Sequence, residues 1–350
     1  MGVHLVTGGN GFLGTFISRK LLDMGEEVRI VDVVDDSLRD QRASFHNIDI
    51  LDRDALKEVM QGVDYVHHNA ALVPLKKAGD RFQKVNVDGT DVVLQVAKEC
   101  GVKHFSHMSS SAVFGNVTKD DCPIKEDPPH LEPIEIYGKS KKDGEDIVKR
   151  EIAANGSMTC SIIRPRTIIG TERLGIFQIL FEWISEGRNI YIIGDGNNLF
   201  QFAHIDDLVD VSVETALKTK NGIFNVGTDK FGTLRECLEH LCEFAGTGSK
   251  VRSIPVKLTM ATLWLADKLN LSPLGPWHYM TYHKPYYFDL SKPMNELTWR
   301  PKYSNDEMLV ESYKWYLQNK SKLESDRTKG KSAHRGTLKQ GVIGLLKKLS

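Results

Sequence analysis

Tyr137 and Lys141 stand four residues apart in the run Tyr137-Gly138-Lys139-Ser140-Lys141. On a helix that spacing puts both side chains on one face. An ammonium beside a phenol favours the phenolate, and an opposite charge lowers a pKa by about one to three units. A tyrosine that ordinarily titrates at about 10 is thereby drawn toward neutral pH. Such a phenol can take the proton of a secondary alcohol as hydride leaves the carbon, and return it to a ketone in reverse. Ser110, within Ser109-Ser110-Ser111, follows the strand-like run His104 to Met108. A hydroxyl at that strand end can hydrogen-bond the substrate oxygen and stabilise developing charge. The expected catalytic set is Ser110, Tyr137 and Lys141.

Hydride chemistry needs a carrier, and the opening residues read as its holder. An apolar run (Val3, Leu5, Val6) leads into Thr7-Gly8-Gly9-Asn10-Gly11-Phe12-Leu13-Gly14 and then into an amphipathic run (Phe16, Ile17, Leu21, Leu22). Strand, glycine turn and helix in that order suit a pyrophosphate. Gly8 permits the tight turn, Gly11 lets the backbone approach the phosphates, and Gly14 lets the helix pack on the strand. The N–H groups at the helix start, around Phe12 and Leu13, then face the anion. Asp32 ends a second β-like run, Glu27 to Asp32, where an acid accepts hydrogen bonds from ribose hydroxyls. Its charge repels a 2′-phosphate, so NAD is the expected cofactor. Arg29, Arg39 and Arg42 leave NADP open.

The 350 residues, 41% hydrophobic and 26% charged, are those of an ordinary globular protein. No signal peptide and no membrane span is expected. Five scattered cysteines point to a reducing, cytoplasmic setting and not to a disulfide framework. His67, His68 and His204 lack metal-ligand spacing, so no metal is expected. Charge is neutral overall but uneven: residues 320–350 carry nine Lys/Arg against two acids. This basic tail, 319–350, ends in an apolar cluster around Leu345 and Leu346. It reads as a solvated segment or as a peripheral contact with an anionic membrane. Nothing resembles a nucleic-acid module.

Strand-like runs at 3–7, 27–32, 44–49, 63–68, 103–109 and 159–164 alternate with helical runs at 12–24, 52–61, 80–100 and 136–154. That alternation predicts an α/β fold, a Rossmann-type doubly wound parallel sheet with ligands beyond the strands' carboxyl ends. After residue 165 the pattern changes, with helical runs at 174–183, 206–217 and 233–244 and short strands between them. The expected division is a dinucleotide domain over 1–165, receiving returns from later segments, and a smaller discontinuous α/β C-terminal substrate lobe over 166–318.

Together these residues resemble the extended short-chain dehydrogenase/reductase family, the NAD-dependent epimerase/dehydratase group, from about residue 3 to residue 318. The resemblance includes the glycine turn, Asp32, Asp49-Ile50, His68-Asn69-Ala70-Ala71, Asn86-Val87-Asp88-Gly89-Thr90, Ser110, Tyr137/Lys141 and Arg164-Pro165. It implies that Ser110, Tyr137 and Lys141 are catalytic and that Lys141 also binds the nicotinamide ribose. It further implies that Asp49 and Ile50 contact the adenine side, that Ala70 and Ala71 line the cofactor cleft, that Asn86 belongs to the cofactor site, and that Arg164-Pro165 begins the loop beside the nicotinamide.

Ser111-Ala112 after Ser110 leaves no acid where sugar dehydratases carry an Asp-Glu pair, which disfavours dehydration. Gln201 stands where nucleotide-sugar epimerases commonly have an arginine, and the stretch His283 to Asp289 lacks a second one; Arg166, Arg173 and Arg188 could substitute. The apolar run Ile254 to Trp277 resembles the 3β-hydroxysteroid and sterol dehydrogenase branch. The expected reaction is reversible hydride transfer at a secondary alcohol or ketone of a small, hydrophobic, lipid-type substrate. A nucleotide-sugar 4-epimerase with tightly held NAD and a catalytically silent NAD-sensing protein are the alternatives. A homodimer through the helices near 80–100 and 136–154 is expected from the family.

Overall fold

The structure, a computed structural model, describes residues 1–36, 39–73, 79–128, 131–257, 259–260, 262–263 and 280–325. The first half runs β1 (Val3–Thr7), α1 (Phe12–Asp23), β2 (Glu27–Asp32), β3 (Ser44–Asn47), α2 (Arg53–Val59) and β4 (Tyr65–His68). A π-helical turn (Gln83–Asp88) leads into α3 (Gly89–Glu99), followed by β5 (His104–Met108), α4 (Ile136–Ala154) and β6 (Thr159–Pro165). Next come β7 (Thr167–Ile169), α5 (Ile176–Ser185), β8 (Ile190–Ile193), β9 (Phe202–His204) and α6 (Ile205–Leu217). The chain closes with β10 (Gly222–Val226), α7 (Leu234–Ala245), β11 (Val251–Ile254), α8 (Ser291–Glu296) and α9 (Asn305–Ser325).

Seven strands form one parallel sheet in the order β3-β2-β1-β4-β5-β6-β10, which is the doubly wound Rossmann-type arrangement. The inner strands are buried on both faces because helices cover both, and they carry His4, His67, His68, His104 and His107 among their apolar side chains. Leu56, Val93, Leu94, Phe105 and Ile162 fill the layer beneath α2, α3 and α4. Ile17, Leu21, Ile30, Ile163, Leu208 and Phe224 fill the opposite layer, beneath α1 and α6. Each such side chain stabilises the fold by about 1.5–3 kcal/mol through burial. Strand order reverses between β1 and β4, whose register sets Thr7 beside His68. The reversal opens a crevice at their carboxyl ends, where the glycine turn and Ala70 lie.

Beyond β6 the chain builds two small parallel sheets, β7 with β9 and β8 with β11, while β10 returns to the main sheet beside β6. The helix expected across 80–100 opens instead as the π-helical turn, which brings Asn86 into the interior. Leu258, Trp264, Leu265, Leu269 and Pro273–Pro276 of the apolar run lie outside the described residues, as does the tail from residue 326. Among the described residues no helix is long and apolar enough to cross a membrane.

Candidate active site

The cofactor cleft is built from backbone. Gly8 has φ +65°, and a Cβ on it would lie 2.8 Å from the Ala70 backbone. A Cβ on Gly14 would lie 2.3 Å from the Gly8 carbonyl oxygen, so α1 packs against the turn only because both positions lack side chains. Gly11 is the N-cap of α1 and brings no capping side chain. The first N–H groups of α1, from Phe12 onward, therefore have no side-chain acceptor and suit an anion. Asp32 is locked to this turn, accepting from the Asn10 N–H at 3.1 Å and the Val34 N–H at 3.0 Å. Burial pushes its carboxyl above the usual range, partly offset by those N–H groups.

The three arginines that left NADP open are each paired with a carboxylate. Arg29 pairs with Glu27, Arg39 with Asp35, and Arg42 with both Asp23 and Asp40. A cleft with an acid at the ribose position and its nearby cations already neutralised fits the diol of NAD. Ala70, half-buried, accepts no ligand through its side chain but frames the cleft, its N–H reaching Thr7 Oγ1 at 3.3 Å, and Ala71 follows it. Ile50 is buried in the apolar layer, and Asp49 is exposed with Oδ1 on the Leu51 N–H at 3.0 Å.

The three residues expected to be catalytic lie around the end of β5 and the start of α4. Ser110 follows β5 and caps a short 3₁₀ turn, Ser111–Val113, its Oγ accepting from the Ala112 N–H at 3.2 Å. Its hydroxyl lies near enough to the Tyr137 phenol to favour the phenolate. Tyr137 lies in the first turn of α4, edge-to-face with Phe82 at 5.9 Å. Lys141, one turn on and 4% exposed, donates from Nζ to the Met108 carbonyl oxygen at 2.5 Å. Helix α4 comes this close because Gly138 and Gly144 face Ala112 and Asn86, where a Cβ would meet carbonyl oxygens at 2.3 and 2.9 Å.

The electrostatics differ from expectation. Burial holds the Tyr137 phenol above its ordinary value; the Ser110 hydroxyl and the Arg173 guanidinium pull it down, and Glu135 pushes it up. Lys141 is turned to a carbonyl and is not among the groups that lower the phenol. Burial lowers the Lys141 ammonium to about 8, against an opposing pull from Glu145.

Two residues expected at the cofactor also brace the fold. Asn86 gives its Oδ1 to the Leu72 N–H at 2.8 Å and its Nδ2 to Leu72 O and Ser140 Oγ at 3.1 and 3.0 Å, so it ties the loop after β4 to α4. Arg164 directs its guanidinium away from the loop it begins and into a buried bidentate pair with Glu145, at 2.7 and 2.5 Å. Pro165 ends β6. Ser109 donates to the same carboxylate at 2.5 Å. Burial opposes ionisation of Glu145, but Arg164 and Ser109 outweigh it and hold the carboxyl below its usual range. Sequence reading passed over Glu145, although it continues the Tyr137/Lys141 face at one further turn.

Beyond β6, Gln201 is fully buried, accepting from the Phe288 N–H at 2.9 Å and donating to Thr228 O at 2.7 Å. Arg166 is enclosed by the rings of Tyr286, Phe200 and Phe288, its Cζ 3.9, 5.0 and 5.7 Å from their centroids. The Tyr286 hydroxyl donates to Ser111 O at 2.6 Å, tying the segment before α8 to the turn that follows Ser110. Among the described residues no three His, Cys, Asp or Glu side chains gather to hold a metal.

A family model described as the NAD dependent epimerase/dehydratase family matches residues 4–227. The protein y4nG of Sinorhizobium fredii, itself uncharacterized, is 40% identical over 342 residues, 98% of this chain and 85% of that one. The UDP-glucose 4-epimerase of Lactobacillus helveticus is 28% identical over 343 residues, 89% and 96% of the two chains. A 3β-hydroxysteroid dehydrogenase/Δ5→4-isomerase of Vaccinia virus is 31% identical over 205 residues, 54% and 59% of the two chains. On its glycine turn, its parallel sheet and these matches, the chain belongs to the NAD-dependent epimerase/dehydratase family.

Proposed function

We propose that this protein carries out reversible hydride transfer at a secondary alcohol or ketone. The observation that carries this reading is the gathering of Ser110, just after β5, with Tyr137 and Lys141, one turn apart on α4, where Lys141 is tied to the last residue of β5. NAD, when bound, supplies the hydride acceptor or donor. The turn from Gly8 to Gly14 holds its pyrophosphate and Asp32 its adenosine ribose. Tyr137 removes the hydroxyl proton of the alcohol, or returns it to the ketone. Ser110 hydrogen-bonds the same substrate oxygen. Lys141 has three donors, of which Met108 O uses one, leaving others for the nicotinamide ribose.

Two substrate classes follow from the relatives. A hydrophobic, steroid-type alcohol is supported by the apolar run after Ile254 and by the likeness to the Vaccinia enzyme. A nucleotide sugar is supported by the likeness to the Lactobacillus epimerase over most of both chains. Thermal stabilisation by UDP against that by a 3β-hydroxysteroid separates them. Retention of NAD through dialysis favours the epimerase.

The reading is tested with NAD-loaded protein and the Tyr137→Phe variant, following nicotinamide absorbance with the stabilising compound. The variant is expected to bind NAD as wild type does and to lose about 10²- to 10⁴-fold in rate. Unchanged turnover would leave an NAD-sensing role in its place. We also propose a homodimer through α3 and α4. Their outward residues, Asp91, Gln95, Lys98, Asp146 and Arg150, are charged or polar, so association through them should weaken with salt.

A further inference from the structure

Arg173, named above only as one possible substitute for a missing arginine, stands beside the Tyr137 phenol. The loop between β7 and α5 carries it among three residues of positive φ, Gly170 at +155°, Glu172 at +64° and Gly175 at +74°. This backbone sends neighbouring side chains in opposite directions. Glu172 reaches α1 and pairs with Arg19 at 2.8 Å. Arg173 turns inward and stacks over Phe12, the first residue of α1, with Cζ 5.5 Å from the ring centroid. Its Nε donates to Ile168 O at 3.2 Å, which holds the guanidinium in place. Its Nη1 is sealed from solvent and has no hydrogen-bond partner among the described residues. No carboxylate there pairs with it. Its electrostatic neighbours are the phenols of Tyr137 and Tyr282.

A guanidinium with one nitrogen sealed from solvent and without a partner among the described residues is costly in free energy unless something completes it. Guanidinium chemistry suits a carboxylate or a phosphate, which accept its forked N–H groups. A neutral steroid alcohol offers no such group.

We propose that Arg173 is a substrate-specificity residue, binding an oxyanion, carboxylate or phosphate, that the substrate carries close to the carbon exchanging hydride. The inference rests on the hydride-transfer reading, because it sets the anion beside Tyr137. It deepens that reading by requiring an anionic substrate.

The test uses full-length protein saturated with NAD, so that the pyrophosphate of the cofactor is already in place. Melting is followed with sodium phosphate, sodium acetate, or sodium chloride at matched ionic strength. Wild type is expected to gain about 2 °C or more over chloride at anion concentrations some tenfold above the dissociation constant. Phosphate or acetate acting alone identifies which oxyanion the site prefers. Arg173→Met should lose the gain while binding NAD within about twofold of wild type. Arg173→Lys, a milder change should the methionine variant not fold, should keep less than half of it, since it loses the fork but retains the charge. Tyr137→Phe should keep the full gain, which separates a failure here from a failure of the hydride-transfer reading. Two results would overturn the proposal: no gain over chloride in wild type, or an equal gain in the Arg173 variants. A tenfold loss of NAD affinity in Arg173→Met without any anion effect would also overturn it, by assigning Arg173 to the cofactor.

Discussion

Lys141 donates its ammonium to the carbonyl oxygen of Met108 at 2.5 Å. That bond ties the Tyr137/Lys141 face of α4 to the end of β5, on the side of Ser110, which follows the strand. The ammonium is stabilised there by a carbonyl and by Glu145, but burial opposes its charge more strongly.

Lys141→Met should therefore separate stability from activity. The folded ammonium titrates at about 8, below its unfolded value of about 10.5. Across that window the unfolded state binds more protons, so the contribution of Lys141 to stability improves as pH rises from 8 and is poorest at and below neutrality. The variant is expected to resist urea at pH 7 at least as well as wild type, with hydride transfer down by about 10²-fold or more. Retained turnover together with a large loss of stability would reverse this assignment.

Acid should unfold the protein through its histidines. His4 is lowered by burial to about 4, and His68 and His104 to about 3. Burial also holds His67 and His107 well below their ordinary value. The unfolded chain takes up these protons first, so the stability is fully present above about pH 6.5 and is lost as pH falls toward the folded values. Each fully buried histidine removes up to about 1.4 kcal/mol per pH unit in that window. Urea midpoints that stay flat from pH 6.5 to pH 4.5 would contradict the buried, neutral assignment.

Glu145→Gln should destabilise by about 3–5 kcal/mol, because it strands the Arg164 guanidinium in a buried site. Replacing both with apolar residues of similar size, Glu145→Met with Arg164→Met, should recover much of the loss. Chemical denaturation of the two single variants and the double variant measures the coupling. Additive losses would mean that the pair is not an energetic unit.

Alanine at the two glycines of the turn should act differently. At Gly14 the new Cβ meets the Gly8 oxygen at 2.3 Å and the Gly9 Cα at 2.7 Å, so both the melting temperature and NAD affinity should fall. At Gly11 its nearest neighbour is the Gly8 oxygen at 3.0 Å, so folding should survive while NAD affinity falls about tenfold or more. Calorimetric titration with NAD beside thermal melting separates the outcomes. Loss of stability alone at Gly11 would count against its approach to the phosphates.

Much of the architecture was legible before any coordinates. Apolar runs of strand length alternating with amphipathic runs of helix length admit few arrangements other than a parallel sheet covered on both faces. A glycine turn between the first strand and helix needs only local sequence to declare itself. The Tyr137/Lys141 pair was legible for the same reason, since helical periodicity alone sets their common face.

What the sequence left unread depends on where a long side chain goes after its backbone is placed. Asn86, Arg164 and Gln201 sit near the cleft, yet each spends its polar atoms on protein partners remote in sequence: Leu72 and Ser140, Glu145, and Phe288 and Thr228. Composition and spacing thus determined the sheet, the dinucleotide turn and the reactive helix, because those follow from short-range patterns. Tertiary structure alone decided which charges are paired and which are left facing the cleft. A flexible side chain chooses its partner by burial and distance, and neither is written into the local sequence.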